Sequence, residues 1–592
     1  MSKKRKINKK PLNQNVKKKC DISKSTAVTY TTASAPDPRI LQVFLLIAPF
    51  IWGGFYEAVS CVFAIFLAGY LLYSAGRTGG LTLRVNLTWI AVLVLTLMYG
   101  ISAVWAVDHG MAVFGFAKFL PLSLFALVLM QEKAEARAKL LDMVPISGCL
   151  MTALSFVLSR IPALEKYFLV NGRLAGFFQY PNAFALFLIA GVVILAGKDT
   201  WSKMQLSGYV ILLIGIALTG SRTAFVILLI TMLGLSIFHK NRRIRVALLL
   251  LLAVMVAVTG LYAVLTGNVS NVGRYLTSSF HASTFLGRLL YFKDALPVIL
   301  KHPFGLGYMG YYYLQGSFQT GVYSVMNIHN EFLQVLLDIG WVPAVLIAAA
   351  VVKSFMKKET GLTGRTLLFA ICAHSMFDFD LQFIVIGFVL LLAMDLETGK
   401  VWKNCKKMWL RIAAGILIVV NCWLGIASGL YRTGNLKAAV TVYPGCTGAW
   451  LGMLSKAEDT EEMGELADKI LFWNQSVSLA HSAKARLAYA EGDFEAMIEY
   501  KRKAIALARY ELEEYLDYFD MLYTGIRLYA EAGDENSALY CRKKLLEIPD
   551  MLKEVLEGTD ALAFRIHDKP ELELPEEYKK AIESLKDSVN FT

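Results

Sequence analysis

The sequence predicts an all-α fold: a polytopic membrane protein of about 13 transmembrane helices joined to an extracytoplasmic, repeat-like helical domain. Three observations predict it. Of 592 residues, 56% are hydrophobic and only 18% charged, with a mean hydropathy of +0.49, which is too apolar for a soluble chain of this length. The apolar residues gather in runs suited to crossing about 30 Å of hydrocarbon, which takes roughly 20 residues as a helix. The formal charge of +13 is also unevenly divided. Residues 451–592 hold 18 Lys and Arg against 30 Asp and Glu, a net of −12, so residues 1–450 carry +25. Short basic clusters between long apolar runs mark a membrane protein, so no nucleic acid is expected as a partner. Disordered, collagen-like and disulfide-scaffold classes are excluded by the same composition.

Taken in order, the first 38 residues hold ten Lys or Arg (Lys3, Lys4, Arg5, Lys6, Lys9, Lys10, Lys17, Lys18, Lys19, Lys24) against Asp21 and Asp37. A cleaved signal peptide needs an apolar run directly behind its basic residues, and here polar residues continue to Pro38. The stretch 1–38 reads as a disordered cytosolic arm that sets topology near anionic membrane lipids. Apolar runs follow near 39–54, 56–75, 86–105, 111–130, 140–160, 182–197, 205–220, 222–238, 244–266, 331–352, 366–379, 380–396 and 408–430.

Basic residues flanking these runs test the threading, because cytosolic loops are enriched in Lys and Arg. With the arm inside, Arg77 and Arg84 fall inside, as do Lys133, Arg137 and Lys139, then Lys198 and Lys203. Lys240 to Arg245, Lys353 to Arg365 and Lys400 to Lys407 follow the same alternation. The other side receives Asp108 and His109, loop 161–181, Gly220-Ser221-Arg222, the long loop 267–330, the region of Asp378 and the acidic tail. The expected domains are the arm 1–38, a transmembrane domain 39–430 and a helical domain 431–592. Of eight cysteines, only Cys446 and Cys541 share the external side; they are as readily free thiols as a pair.

External cations are the informative exceptions to that charge rule. Arg173 stands in Gly172-Arg173-Leu174-Ala175-Gly176, ahead of Pro181-Asn182. Arg222 follows the tight turn Thr219-Gly220-Ser221, and the long loop carries Arg274, His281, Arg288, Lys293, Lys301, His302 and His329 against Asp294. His374 and Asp378 stand four residues apart, on one face of the eleventh span if the helix continues. Each has a plain explanation. Arg222 fits snorkelling to headgroups, Arg173 fits an ordinary loop, and Arg288 fits the wet face of a surface helix over 285–293. Asn330 fits a helix cap with His329 as bystander, and His374 with Asp378 fits a hydrogen bond within one helix. Convergence favours function: three arginines and a histidine at separate helix ends can face one cavity.

That set suits a diphosphate. Guanidinium groups bind phosphate oxygens in bidentate fashion and keep their charge at every relevant pH. His329 suits accepting a proton from a sugar hydroxyl. The external side has no dense carboxylate cluster and no zinc-like histidine spacing, so neither metal nor other cofactor is expected.

These residues resemble the O-antigen ligase and O-antigen polymerase family over roughly residues 85–395. The carriers are Arg173-Leu174-Ala175-Gly176 with Pro181-Asn182, Ser221-Arg222-Thr223-Ala224, Gly287-Arg288, His302-Pro303-Phe304-Gly305-Leu306-Gly307, His329-Asn330 and His374-Ser375-Met376-Phe377-Asp378. The resemblance implies a metal-independent membrane glycosyltransferase of cell-envelope polysaccharide biosynthesis. Such an enzyme moves glycan from an undecaprenyl-diphosphate carrier to a glycan or cell-surface polymer acceptor, outside the cytoplasmic membrane. It implies Arg173, Arg222 and Arg288 on the diphosphate, His329 and Arg288 as catalytic residues, and supporting roles for Asn330, His374 and Asp378. Phe177-Phe178-Gln179-Tyr180 departs from the small polar residues that often precede Pro-Asn in the family.

The tail carries Tyr489-Ala490-Glu491-Gly492-Asp493 and, with its Gly-Asp pair 41 residues later, Tyr529-Ala530-Glu531-Ala532-Gly533-Asp534. This resembles tetratricopeptide repeats without their 34-residue period, and suits either a surface for envelope-assembly proteins or a plain helical cap. The rival function is a lipid-linked oligosaccharide flippase or polysaccharide transporter, which would place charges deep within its helices. A scaffold without chemistry is the third reading, opposed by the complete Arg and His set.

Overall fold

The computed structural model describes residues 37–266, 283–403 and 407–587. The basic arm through residue 36, together with Arg274 and His281 of the long loop, lies outside the described residues. Helices dominate, with two antiparallel two-stranded ladders among the described residues. Among the described residues, five helices are long and apolar enough to cross a membrane: Glu57–Thr78, Leu87–Val104, His109–Gln131, Ala134–Leu158 and Met408–Arg432. Shorter apolar helices, among them Pro181–Ala196, Lys203–Thr219, Arg222–Phe238, Trp341–Met356 and Ile384–Ala393, pack with them around one apolar core.

Loops sort into two ends. At one, strand Thr82–Val85 pairs with Lys400–Lys403, Arg137 meets Glu397, Lys198 meets Asp142 at 2.5 Å and Lys357 meets Asp395 at 2.9 Å. At the other, the loops around 108, 173, 219, 306, 329 and 378 join each other and the tail through contacts described below.

Two predicted spans are interrupted in the structure. The run 39–54 ends in the turn Trp52-Gly53-Gly54, where all three residues have positive φ. The run 331–352 is two helices, Glu331–Ile339 and Trp341–Met356, parted at Gly340. Gly340 has φ +82°, and a Cβ there would sit 2.2 Å from the Pro303 carbonyl oxygen. That carbonyl accepts from Trp341 N at 3.1 Å, while Leu306 N and Gly307 N donate to the carbonyls of Leu337 and Asp338. The motif His302-Pro303-Phe304-Gly305-Leu306-Gly307 therefore stitches the long loop onto the helix break. Gly305 is required there, since its Cβ would meet the Asp338 carbonyl at 2.4 Å.

Residues 285–293 are helical, but within a longer helix, Ser283–Lys301. Leu286 and Leu290 pack with Tyr323 and with Ala563 and Ile566 of the tail, while Leu289, Leu296 and Leu300 stay exposed. Asp294 anchors the loop above it, accepting from Thr320 N, Thr320 Oγ1 and Tyr323 OH at 2.7 to 2.9 Å.

The tail is a stack of helical hairpins from Leu436–Val442 to Glu576–Asp587. Its repeated Gly-Asp pairs are hairpin turns: Gly492 and Gly533 take positive φ, and Asp493 and Asp534 cap the next helices by accepting from Ala496 N and Ser537 N. Gly434-Asn435 builds a third such turn, with Asn435 accepting from Ala438 N. Ala439, Val440, Tyr443, Cys446 and Ala449 share the core of the apolar helices, whereas residues from Ala485 to Ile582 form a core of their own. Cys446 and Cys541 lie in these separate cores, both buried as free thiols.

Candidate active site

A two-residue Asn171-Gly172 turn, both residues at positive φ, joins strand Leu169–Val170 to Arg173–Leu174. This is the turn chemistry that matches strand twist in a tight hairpin, and it presents Arg173 to the neighbouring helix ends. Arg173 Nε donates to the Thr219 carbonyl at 2.7 Å and Nη2 to Asn182 Oδ1 at 2.6 Å. Arg222 begins the next helix three residues beyond that carbonyl, directly after the capping residue Ser221.

Asn182 passes the connection on, its Nδ2 donating to Asp378 Oδ2 at 2.7 Å. Asp378 is the hub of the cluster, with a side chain only 1% exposed. It also accepts from Tyr180 OH at 2.7 Å, its neighbour Phe379 N at 3.0 Å and Arg288 Nη2 at 3.3 Å, and it meets His329 Nδ1 at 3.2 Å. Arg288 and His329 keep 18% and 21% of their side chains exposed, so the cluster has one wet side. Burial alone would raise the Asp378 carboxyl. The hydrogen bond from His329 and the charges of Arg288, His329 and His374 outweigh it and hold the group well below the usual carboxylate range.

His329 is held with φ +56°, a left-handed conformation that is costly for a residue with a side chain. The next residue explains how it is fixed. Asn330 Oδ1 accepts from Phe332 N and Leu333 N, capping Glu331–Ile339, and the imidazole packs edge-on against Phe379, centroids 4.9 Å apart. Asn330 thus serves as the cap that the spacing suggested.

The pairing of His374 with Asp378 on one helix is corrected. The helix Gly361–Ser375 ends before Asp378, which frees that carboxylate to turn toward Arg288 and His329. His374 Nδ1 instead meets Asp380 Oδ2 at 2.7 Å, both side chains fully buried, with Ser375 Oγ on the same oxygen at 3.2 Å.

Tyr180 was not singled out from sequence, although it belongs to the segment noted as a departure. Preceding Pro181, it is pushed into extended backbone (φ −142°, ψ 110°). Its ring stacks on Phe379 at 4.6 Å, and the hydroxyl reaches Asp378. A tyrosine directly before the Pro-Asn pair was the available signal.

Among the described residues, no three His, Cys, Asp or Glu side chains are grouped to hold a metal ion. No curated protein matches the chain. Residues 207–348 match the family model described as O-Antigen ligase, a stretch that holds Arg222, Arg288, His329 and Asn330, while Arg173, His374 and Asp378 flank it. This stretch of an integral membrane protein is thus similar to the O-antigen ligase family, and the similarity spans about a quarter of the chain.

Proposed function

We propose that the protein takes glycan from an undecaprenyl-diphosphate carrier and joins it to an acceptor sugar hydroxyl, as a polymerase or ligase, without a metal. The observation that carries this reading is the meeting of His329, Arg288 and Asp378 in one partly open cluster. An ionised Asp378 accepts the Nδ1 proton of His329, which leaves the lone pair on Nε2. Among the described residues Nε2 has no hydrogen-bond partner. The acceptor hydroxyl gives its proton to Nε2 while its oxygen bonds to the anomeric carbon. The bond from that carbon to the carrier's diphosphate oxygen breaks, and the diphosphate leaves with the electron pair. Arg288 and Arg222 balance the departing charge. Arg173, whose fork is engaged by Thr219 and Asn182, acts as a positioning residue.

The loop end that bears the cluster is read as the outer face of the cytoplasmic membrane, with the tail extracytoplasmic, the N-terminus cytosolic and about thirteen crossings. The sorting of loops into two ends supports that threading.

The test is transfer in liposomes from purified undecaprenyl-diphosphate oligosaccharide in EDTA. Wild type is expected to form new glycosidic bonds, and His329→Ala and Arg288→Ala to lose about a hundredfold or more. Product length separates polymerase from ligase. Undiminished transfer by both variants would overturn the site, and lipid moved between leaflets without new bonds would establish the flippase instead.

A further inference from the structure

A cavity of about 450 Å³ lies where three parts of the chain meet: the helix ends near Tyr56 and Tyr431, the loop from Tyr308 to Asn327, and the tail from Cys446 to Leu479. Its size falls in the range of about 300–1,000 Å³ usual for small-ligand sites. The walls carry Tyr56, Tyr312, Tyr313 and Tyr431. At its floor, Tyr308 OH donates to Glu57 Oε1 at 2.6 Å and Lys118 Nζ donates to Tyr308 OH at 3.2 Å. Ser428 Oγ reaches the other Glu57 oxygen at 3.5 Å. Lys118 is only 2% exposed. A buried ammonium and a carboxylate joined through a phenol, inside an aromatic wall, are costly to maintain without polar contacts. A lipid chain gains nothing from them. Aromatic faces with interspersed hydroxyl, carboxylate and ammonium groups instead suit a saccharide, which has apolar C–H faces and a hydroxyl rim.

The cavity adjoins the proposed reaction centre. Asn327, two residues before His329, lines it. So does Phe55, whose ring lies 6.3 Å from that of Phe379, the ring against which His329 packs. Another cavity, of about 280 Å³ between Leu87–Ile101 and Trp341–Met356, is almost wholly apolar in its lining and offers no comparable set of polar groups.

We propose that this tail-roofed cavity is the acceptor subsite, binding the terminal sugars of the acceptor glycan and presenting a hydroxyl toward His329. The inference rests on the glycan-transfer reading above and adds where the acceptor sits. It also gives the tail a direct part in substrate binding, because the chain from Cys446 to Leu479 closes the site.

The test uses the full-length protein in lipid nanodiscs and, as probe, the free oligosaccharide released from the lipid-linked donor. Binding is measured without donor for wild type and for His329→Ala, Tyr312→Ala, Tyr431→Ala, Tyr312→Phe and Tyr431→Phe. The expected result is measurable binding by wild type and by His329→Ala, at least tenfold weaker binding than wild type by Tyr312→Ala and Tyr431→Ala, and recovery by the phenylalanine variants, which keep the ring face. Absence of binding to wild type, or unchanged binding by both alanine variants, overturns the subsite. Loss in the alanine variants without recovery by phenylalanine also overturns it, since stacking would not be the cause. The two readings fail separately. Transfer that still requires His329 while alanine variants bind normally removes only the subsite, whereas transfer independent of His329 removes the mechanism on which it rests.

Discussion

His329 Nδ1 lies 3.2 Å from Asp378 Oδ1, although 49 residues separate them in the chain. On the proposed mechanism, this contact leaves Nε2 as the basic nitrogen and makes the carboxylate its partner. Asp378→Asn keeps the shape and removes the charge, so transfer is expected to fall by about 10²–10⁴. Single-turnover rates with saturating donor measure it. A loss below tenfold would remove Asp378 from the mechanism.

The same carboxylate gives a sign for pH. Its folded-state pKa is depressed, so its stabilising contribution is present above the ordinary carboxyl range and fades only as pH falls through the folded value. Thermal unfolding of wild type and Asp378→Asn should therefore differ across about pH 5 to 8 and converge only in strong acid. Convergence near neutrality would contradict the ion-paired state.

Asp108 behaves in the opposite sense. It caps His109–Gln131 and accepts from Thr447 Oγ1 and Asn474 Nδ2 of the tail, both at 3.1 Å. Burial pushes its carboxyl up to about 6, against the lowering effect of those hydrogen bonds. A carboxyl raised on folding holds its proton more tightly in the folded state, so acidification from pH 7 to about 4 strengthens the docked tail, by about 3 kcal/mol at most. Hydrogen exchange over residues 447–474 should slow across that window. Asp108→Asn should flatten the dependence.

Arg173→Lys keeps the charge but not the fork that spans Thr219 and Asn182. Transfer is expected to drop about tenfold, with unfolding temperature little changed. A change in donor KM alone, with kcat intact, would instead mark Arg173 as a direct phosphate contact.

Gly340→Ala should be among the more damaging single-methyl changes. Positive φ and the Pro303 carbonyl both oppose a Cβ, for a loss of about 2–5 kcal/mol. Melting of the detergent-solubilised protein measures it.

Hydropathy sufficed to read an all-α chain with membrane-capable helices, because apolar runs are local properties. Arg173, Arg288 and His329, which the structure brings to neighbouring loops, could be singled out because a cation at the end of an apolar run stands out in one dimension. Asp378 was underrated and His374 misassigned, since both readings assumed that the helix continued beyond Ser375. The break at Gly340 was hidden because its cause, the Pro303 carbonyl, lies 37 residues earlier. Tyr180 was hidden because an aromatic residue beside a span usually reads as packing.

The Gly110 and Gly445 backbones pack so closely that a Cβ on Gly110 would sit 2.1 Å from the Gly445 carbonyl oxygen, and Tyr443 OH donates to the Gly110 carbonyl at 2.9 Å. For anyone building chimeras, this sets the seam. Exchanging everything after residue 430 discards one half of a glycine-on-glycine joint and strips cover from core side chains. A graft that begins beyond Asn474 keeps the joint and the Asp108 clasp, and has to match Val477, Ala480 and Ala483 to the Leu454 to Leu471 side chains they pack with.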